Sequence, residues 1–308
     1  MVVLDYVFII LDYIVFILCQ TLTYIEGTRG TSSILLLSLL LASCSSKFAY
    51  NNLDWWVYWY LDDYIELNDR QEEQFDDYLN NWLSWHKRSE LTRYKAHLEQ
   101  VKQQVVEDKL NYETLLKHLE SAKSHWERVR DEVSPELAVM AKELSDEQVV
   151  TLFAALEKDN KEEENEREEE LKKTEQARLE KRIERIEEMV EERIGDLTKD
   201  QKQIVSTYST QYISTSGDWL KYRRDIQNAA RRLFVTRSTN TNFADELIYL
   251  MQHPEDYRSE AYQQASTHNT KIMATMLSEI ISVLTEKQKS TLIEHIDELI
   301  ETVSRFQQ

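Results

Sequence analysis

The chain has 308 residues, with only 4 glycines, 2 prolines and 2 cysteines, and its 37 basic against 56 acidic residues give a formal charge of −19. Glycine and proline break helices and shape tight turns, so a chain this poor in both excludes β-sandwiches, doubly wound sheets and glycine-rich phosphate loops. The acid excess excludes general nucleic-acid binding, which needs a surplus of lysine and arginine.

The first element in chain order is a leader, residues 1–43, set apart from the fold. The apolar run 34–41 follows Arg29 and ends in Leu41-Ala42-Ser43-Cys44. This segment resembles the lipobox of bacterial lipoprotein signal peptides. There the chain is cut before the cysteine, and its thiol and new amino terminus are acylated. The resemblance implies lipidation at Cys44. Ser45 is not the aspartate associated with inner-membrane retention, which implies the outer membrane, on its periplasmic side. A plain signal peptide or membrane helix with an incidental cysteine is the other reading. Upstream, Leu4-Asp5-Tyr6-Val7-Phe8-Ile9-Ile10 and Leu11-Asp12-Tyr13-Ile14-Val15-Phe16-Ile17 form an imperfect seven-residue repeat. Asp5 and Asp12 interrupt it as a membrane span. Residues 1–28 are expected to be an over-extended start. Cutting before Cys44 leaves 265 residues and removes Asp5, Asp12, Glu26 and Arg29, which takes the charge from −19 to −17. With its one remaining cysteine acylated, the mature chain has no disulfide and no free thiol.

Residues 44–52 read as a lipidated tether. A first helical half follows over 53–160, then a charged helical link over 161–178 and a second half over 179–308. The expected fold class is all-α: an elongated multi-helix bundle of two duplicated halves joined by a long charged helix. In the first half, apolar residues at 53, 56, 57, 60, 61 and 64 keep helical spacing, as do those of 69–85, 91–109 and 110–130. Ser134-Pro135-Glu136 reads as an N-cap, a first-turn proline and an acidic first turn, opening a separate helix over 135–143. Residues 145–194 read as one very long helix whose middle, 161–170, has no apolar face and is either a solvated helix or a disordered link. Helices are expected near 199–214, 218–236, 241–252, 255–283 and 286–306, with Gly217 and Pro254 at the breaks.

One motif recurs four times: leucine, then a capping residue, two variable residues and glutamine. The copies are Leu67-Asn68-Asp69-Arg70-Gln71, Leu144-Ser145-Asp146-Glu147-Gln148, Leu197-Thr198-Lys199-Asp200-Gln201 and Leu284-Thr285-Glu286-Lys287-Gln288. A capping box accounts for the capping residue and the glutamine. It does not explain why leucine and glutamine recur while the middle varies. The separations of 77, 53 and 87 residues and the shared flanking patterns point to a duplication with two motifs in each half.

Two resemblances follow from these residues. Cys44, Tyr50-Asn51-Asn52-Leu53-Asp54-Trp55, Trp59-Tyr60-Leu61-Asp62-Asp63-Tyr64 and Trp85-His86-Lys87-Arg88 resemble an uncharacterised family of proteobacterial lipoproteins, helical and of unknown function. The Leu-Thr-x-x-Gln copies are similar to the signature of small periplasmic chaperones of the Spy/CpxP type. Those form a helical cradle that binds unfolding clients without ATP, so this resemblance implies unfolded or envelope protein clients.

The remaining constellations each carry two readings. The aromatic run 55–64 is either helical core, which its spacing favours, or an interfacial anchor beside the lipid. The basic cluster Lys221, Arg223, Arg224, Arg231, Arg232 and Arg237 either pairs with the chain's own acidic helices, the favoured reading, or meets phosphate-bearing lipids or an acidic partner. Histidines 86, 97, 118, 125, 253, 268 and 295 form no metal motif, and His295 between Glu294 and Glu298 reads as solvated surface. No cofactor, no metal and no catalytic residues are expected. The functional expectation is a non-enzymatic binding or chaperone-like envelope lipoprotein, joined to the membrane through the lipid on Cys44. A structural adaptor for a folded envelope partner is the alternative, and an enzyme the weakest reading.

Overall fold

The computed structural model describes residues 53–307. The leader, the lipobox residues Leu41, Ala42 and Ser43, Cys44 and the tether lie outside the described residues. Among the described residues the chain is all helical, with no strand, as its composition requires. In chain order the helices are α1 (Leu53–Asp62), α2 (Asp69–Trp85), α3 (Leu91–Val106), α4 (Tyr112–Lys142), α5 (Asp146–Lys172), α6 (Glu175–Ile194), α7 (Lys199–Ser209), α8 (Ser216–Thr236), α9 (Phe243–Gln252), α10 (Glu260–Ser282) and α11 (Glu286–Phe306). No helix among the described residues is long and apolar enough to cross a membrane.

Three elements differ from the expectation, each for a local reason. First, α2 and α3 are one continuous rod joined through a π-helical turn, His86–Glu90. The extra residue lets the Leu91 N–H bond to the carbonyl of His86, five residues back. Second, α4 does not break at Ser134-Pro135; it runs through both. Proline has no N–H for the carbonyl of Asp131, four residues earlier. The side chain of Gln252 in α9 supplies the missing donor at 3.3 Å. Ser134 is not an N-cap: it is buried, and its hydroxyl donates to the carbonyl of Arg130 at 2.5 Å. A tertiary contact therefore tolerates a residue that would stop an isolated helix. Third, the long charged helix is two helices. It breaks at Lys173-Thr174, where Thr174 adopts an extended backbone and accepts from the N–H of Ala177. Residues 161–172 are helical and solvent-rich, with Asn160 the last buried position before them.

The apolar core is a series of linked clusters. The largest joins α4, α5, α8 and α9 through Ala138, Phe153, Ala229, Phe234, Phe243, Leu247 and Leu250. A second joins α6, α7 and α10 through Ile186, Val190, Ile194, Val205, Met276 and Ile280. Two smaller clusters set α3 against α11, one through Leu91, Val303 and Phe306 and one through Val105 and Ile296. Another seats Val57, Tyr58 and Leu61 of α1 on Phe75, Leu79 and Met140. The helices of 53–160 thus pack extensively on those of 179–308: α4 against α9 and α10, and α3 along α11. Gly195 ends α6 with a φ of +78°, a left-handed backbone that a side chain would strain.

Candidate functional site

The four repeated motifs each open a helix, and each forms a capping box. Asn68, Ser145, Thr198 and Thr285 accept the backbone N–H of the glutamine three residues on. Each glutamine Oε1 in return accepts the N–H of its own cap residue, at 2.9–3.1 Å. The tertiary structure adds a second layer. The glutamines meet in two pairs. Gln71 and Gln148 exchange side-chain hydrogen bonds at 3.2 and 2.7 Å. Gln201 and Gln288 do the same at 3.0 and 2.8 Å.

Each amide also reaches the backbone of the opposite motif. Gln71 donates to the carbonyl of Glu143 and Gln148 to that of Glu66. Gln201 donates to the carbonyl of Val283 and Gln288 to that of Asp196. Those four carbonyls belong to the residues just before Leu144, Leu67, Leu284 and Leu197. Every donor and acceptor of the buried amide is thereby used. This explains the choice of glutamine. Glutamate would complete the capping box but has no N–H to give across the junction. The leucines pack beneath: Leu197 and Leu284 share the α6–α7–α10 cluster, Leu67 joins the α1–α2 cluster and Leu144 the α4–α9 cluster.

A second polar site was not legible as a motif. It sits at the π-helical turn. The carboxylate of Glu90 is fully buried and is held by Arg128 Nε of α4 at 3.0 and 3.1 Å and by Arg93 at 3.2 Å. Arg128 Nη2 also contacts Nδ1 of His125. His125 Nε2 lies 3.2 Å from His97 Nδ1, and His97 Nε2 lies 2.9 Å from His118 Nδ1. His118 Nε2 meets Gln104 Oε1 at 3.0 Å. Tyr94 packs edge-on against both His86 and His125. One connected polar run therefore links α3 to α4 over several turns.

The electrostatics follow from that packing. Burial holds the His86 imidazole down at about 4, against an opposing pull from Glu90. Burial, then the charges of His118 and His125, hold His97 at about 4. Burial, then Arg128 and Arg93, hold His125 at about 4. Burial also lowers His118 and pushes Tyr94 up to about 12. No group of histidine, cysteine or carboxylate side chains among the described residues is arranged to hold a metal ion. A sequence signal for this site did exist: residues 86, 90, 94 and 97 share one helical face, as do 118, 125 and 128. Spacing alone does not say that the two faces meet.

The other candidate residues fall as follows. In the basic cluster, Arg223 pairs with Glu163 at 2.5 Å and Asp159 at 3.5 Å, and Arg224 with Glu157 and Glu164 at 2.7 Å. Lys221 pairs with Asp225 in its own helix. Arg231 stacks over Phe153. Arg237 donates to the Leu144 carbonyl just past the end of α4 and pairs with Asp146. The glutamate-rich stretch that lacks an apolar face is thus matched by arginines from α8. In the aromatic run, Tyr58 packs on Phe75, whereas Trp55, Trp59 and Tyr60 are exposed. The run serves both core and surface.

Over residues 63–263, well over half its length, the chain matches a family described as a family of unknown function (DUF6279), and it belongs to that family. The matched span contains the whole Glu90–His118 network and three of the four motif glutamines. No curated protein and no solved structure matches the chain.

Proposed function

We propose that this family member is an envelope lipoprotein, tethered through lipid on Cys44 to the outer membrane and facing the periplasm, with a non-enzymatic protein-binding role. The tether reading rests on Leu41-Ala42-Ser43-Cys44, and the exposed Trp55, Trp59 and Tyr60 begin only eleven residues beyond the cysteine. Amphipathic rings favour a headgroup layer.

One observation carries the binding reading toward a folded partner. All four motif glutamines spend their amides inside the fold, locking helix starts to each other. The motif is then a scaffold device, and the surface left for partners is the outside of a rigid helical body. A chaperone-like cradle for unfolding clients is the second reading, favoured by the Leu-Thr-x-x-Gln resemblance. Two experiments separate them. In vivo photo-crosslinking from exposed positions on α5 and α6 is expected to return one reproducible envelope partner; a smear of many proteins supports the cradle. Purified protein is expected not to suppress aggregation of unfolding model proteins at several-fold excess. Cys44→Ala is expected to abolish palmitate labelling, and persistent labelling would overturn the anchor.

A further inference from the structure

The histidine run has a direction fixed from both ends. The Arg128 guanidinium can only donate. His125 Nδ1, which faces it, therefore accepts, and the His125 proton sits on Nε2. His125 Nε2 then donates to His97 Nδ1, which places the His97 proton on Nε2. His97 Nε2 donates to His118 Nδ1, and His118 Nε2 donates to Gln104 Oε1, an atom that can only accept. Both ends demand the same polarity. All three imidazoles are neutral and share one tautomer.

An added proton has nowhere to go. On His118 Nδ1 it would face the His97 N–H. If His97 turned its tautomer to accept, it would face the His125 N–H instead. If His125 turned as well, it would face Arg128. Every placement leaves two donors opposed. The run is saturated, and its members titrate as one unit.

We infer that the run Gln104–His118–His97–His125–Arg128 is a pH-operated latch between α3 and α4, closed while the three imidazoles are neutral and opened when a proton enters. The inference does not depend on the membrane tether. The groups facing the run are His86 and Glu90 from the π-helical turn, Arg93 and Tyr94 from α3, and Arg128 from α4. The α11 side presents Val303 and Phe306 to Leu91, and farther along pairs Asp297 with Lys102. Glu90 is the anion nearest His125, at 3.6 Å, but two guanidiniums already share its charge. The surroundings of His125 are cationic on balance and resist a proton. Folded values near 4 lie below the unfolded histidine value of about 6.5. The unfolded chain thus binds protons first, and the contribution of the run is complete above about 6.5 and lost as pH falls toward 4.

The test is amide hydrogen exchange of the full chain at pH 7 and pH 5, read by mass spectrometry and corrected for intrinsic rates. Protection over 91–106 and 112–130 is expected to fall about tenfold or more at pH 5, while 199–209 changes less than about twofold. Replacing His97, His118 and His125 together by glutamine, which both donates and accepts but does not titrate, is expected to remove the step. The single variant His118→Gln, at the outer end of the run, is expected to shrink it. Equal wild-type protection at both pH values would overturn the latch. So would a step of unchanged size in the triple variant, or in His118→Gln if the triple variant does not fold, because His86 or the carboxylates would then be responsible.

Discussion

The Gln201–Gln288 junction and the Glu90–histidine run do the same mechanical job with opposite chemistry. Each joins two helices through polar side chains, the glutamines across 87 positions and the histidine run across the short connection between consecutive helices. The glutamine junction is neutral, closed on itself and free of titratable atoms, so its strength does not change with pH. The Glu90 run is held by one buried carboxylate between two arginines and continues through three imidazoles, so its strength depends on every proton count staying fixed. A single fold thus contains an unconditional fastening and a conditional one. Removing one partner should be costly in both, because a buried polar group left alone keeps its full desolvation penalty.

The largest effect should come from the charged side of this comparison. Arg128→Ala leaves the fully buried Glu90 carboxylate with the exposed Arg93 as its remaining arginine, and a loss of about 3–5 kcal/mol is expected in urea unfolding. Next, Gln201→Ala takes one of two partners from each amide group of the buried Gln288, and about 3 kcal/mol is expected. A loss below about 1 kcal/mol would mean that water repairs the junction. The N-terminal copy sharpens the point. Gln71 is buried but Gln148 is only half-buried, so water can replace part of its bonding. Gln148→Ala is expected to cost about 1 kcal/mol, clearly less than Gln201→Ala. Acid divides the two chemistries directly. Tm of the wild type is expected to fall between pH 6.5 and 4.5, and the penalty of Gln201→Ala to stay constant over that range. A penalty that changes with pH would tie the two sites together. The smallest effect is at the caps: Thr198→Ala or Ser145→Ala removes one capping bond, for about 0.5 kcal/mol each.

The two copies of the glutamine junction also show how far sequence reading reaches. Each motif was legible as a helix start, because a capping residue and a glutamine three positions later make a local arrangement. The recurrence of leucine and glutamine across all four copies signalled something beyond capping. What that was, a reciprocal amide pair reaching the opposite backbone, involves residues 77 and 87 positions apart. The Glu90 site was less legible still. Its histidines are spread over two helices, and no spacing rule marks the π-helical turn that carries Glu90 between Arg93 and Arg128. Pro135 misled the reading for a related reason. Its helix survives because Gln252, 117 positions later, supplies the donor that proline lacks.

The sequence by itself determined an all-helical chain. Scarce glycine and proline leave long uninterrupted helices, and Asn68, Ser145, Thr198 and Thr285 mark four of their starts. It also carried the chemical reason to look for a lipid on Cys44. Those are matters of neighbouring residues, where backbone geometry and side-chain reach decide the outcome. Only the tertiary structure decided which helices meet: α3 along α11, α4 under α9, glutamine facing glutamine, and three histidines in one line. Such contacts are set by burial and by the demand that buried donors find acceptors, and at these junctions that demand is met between helices rather than within them.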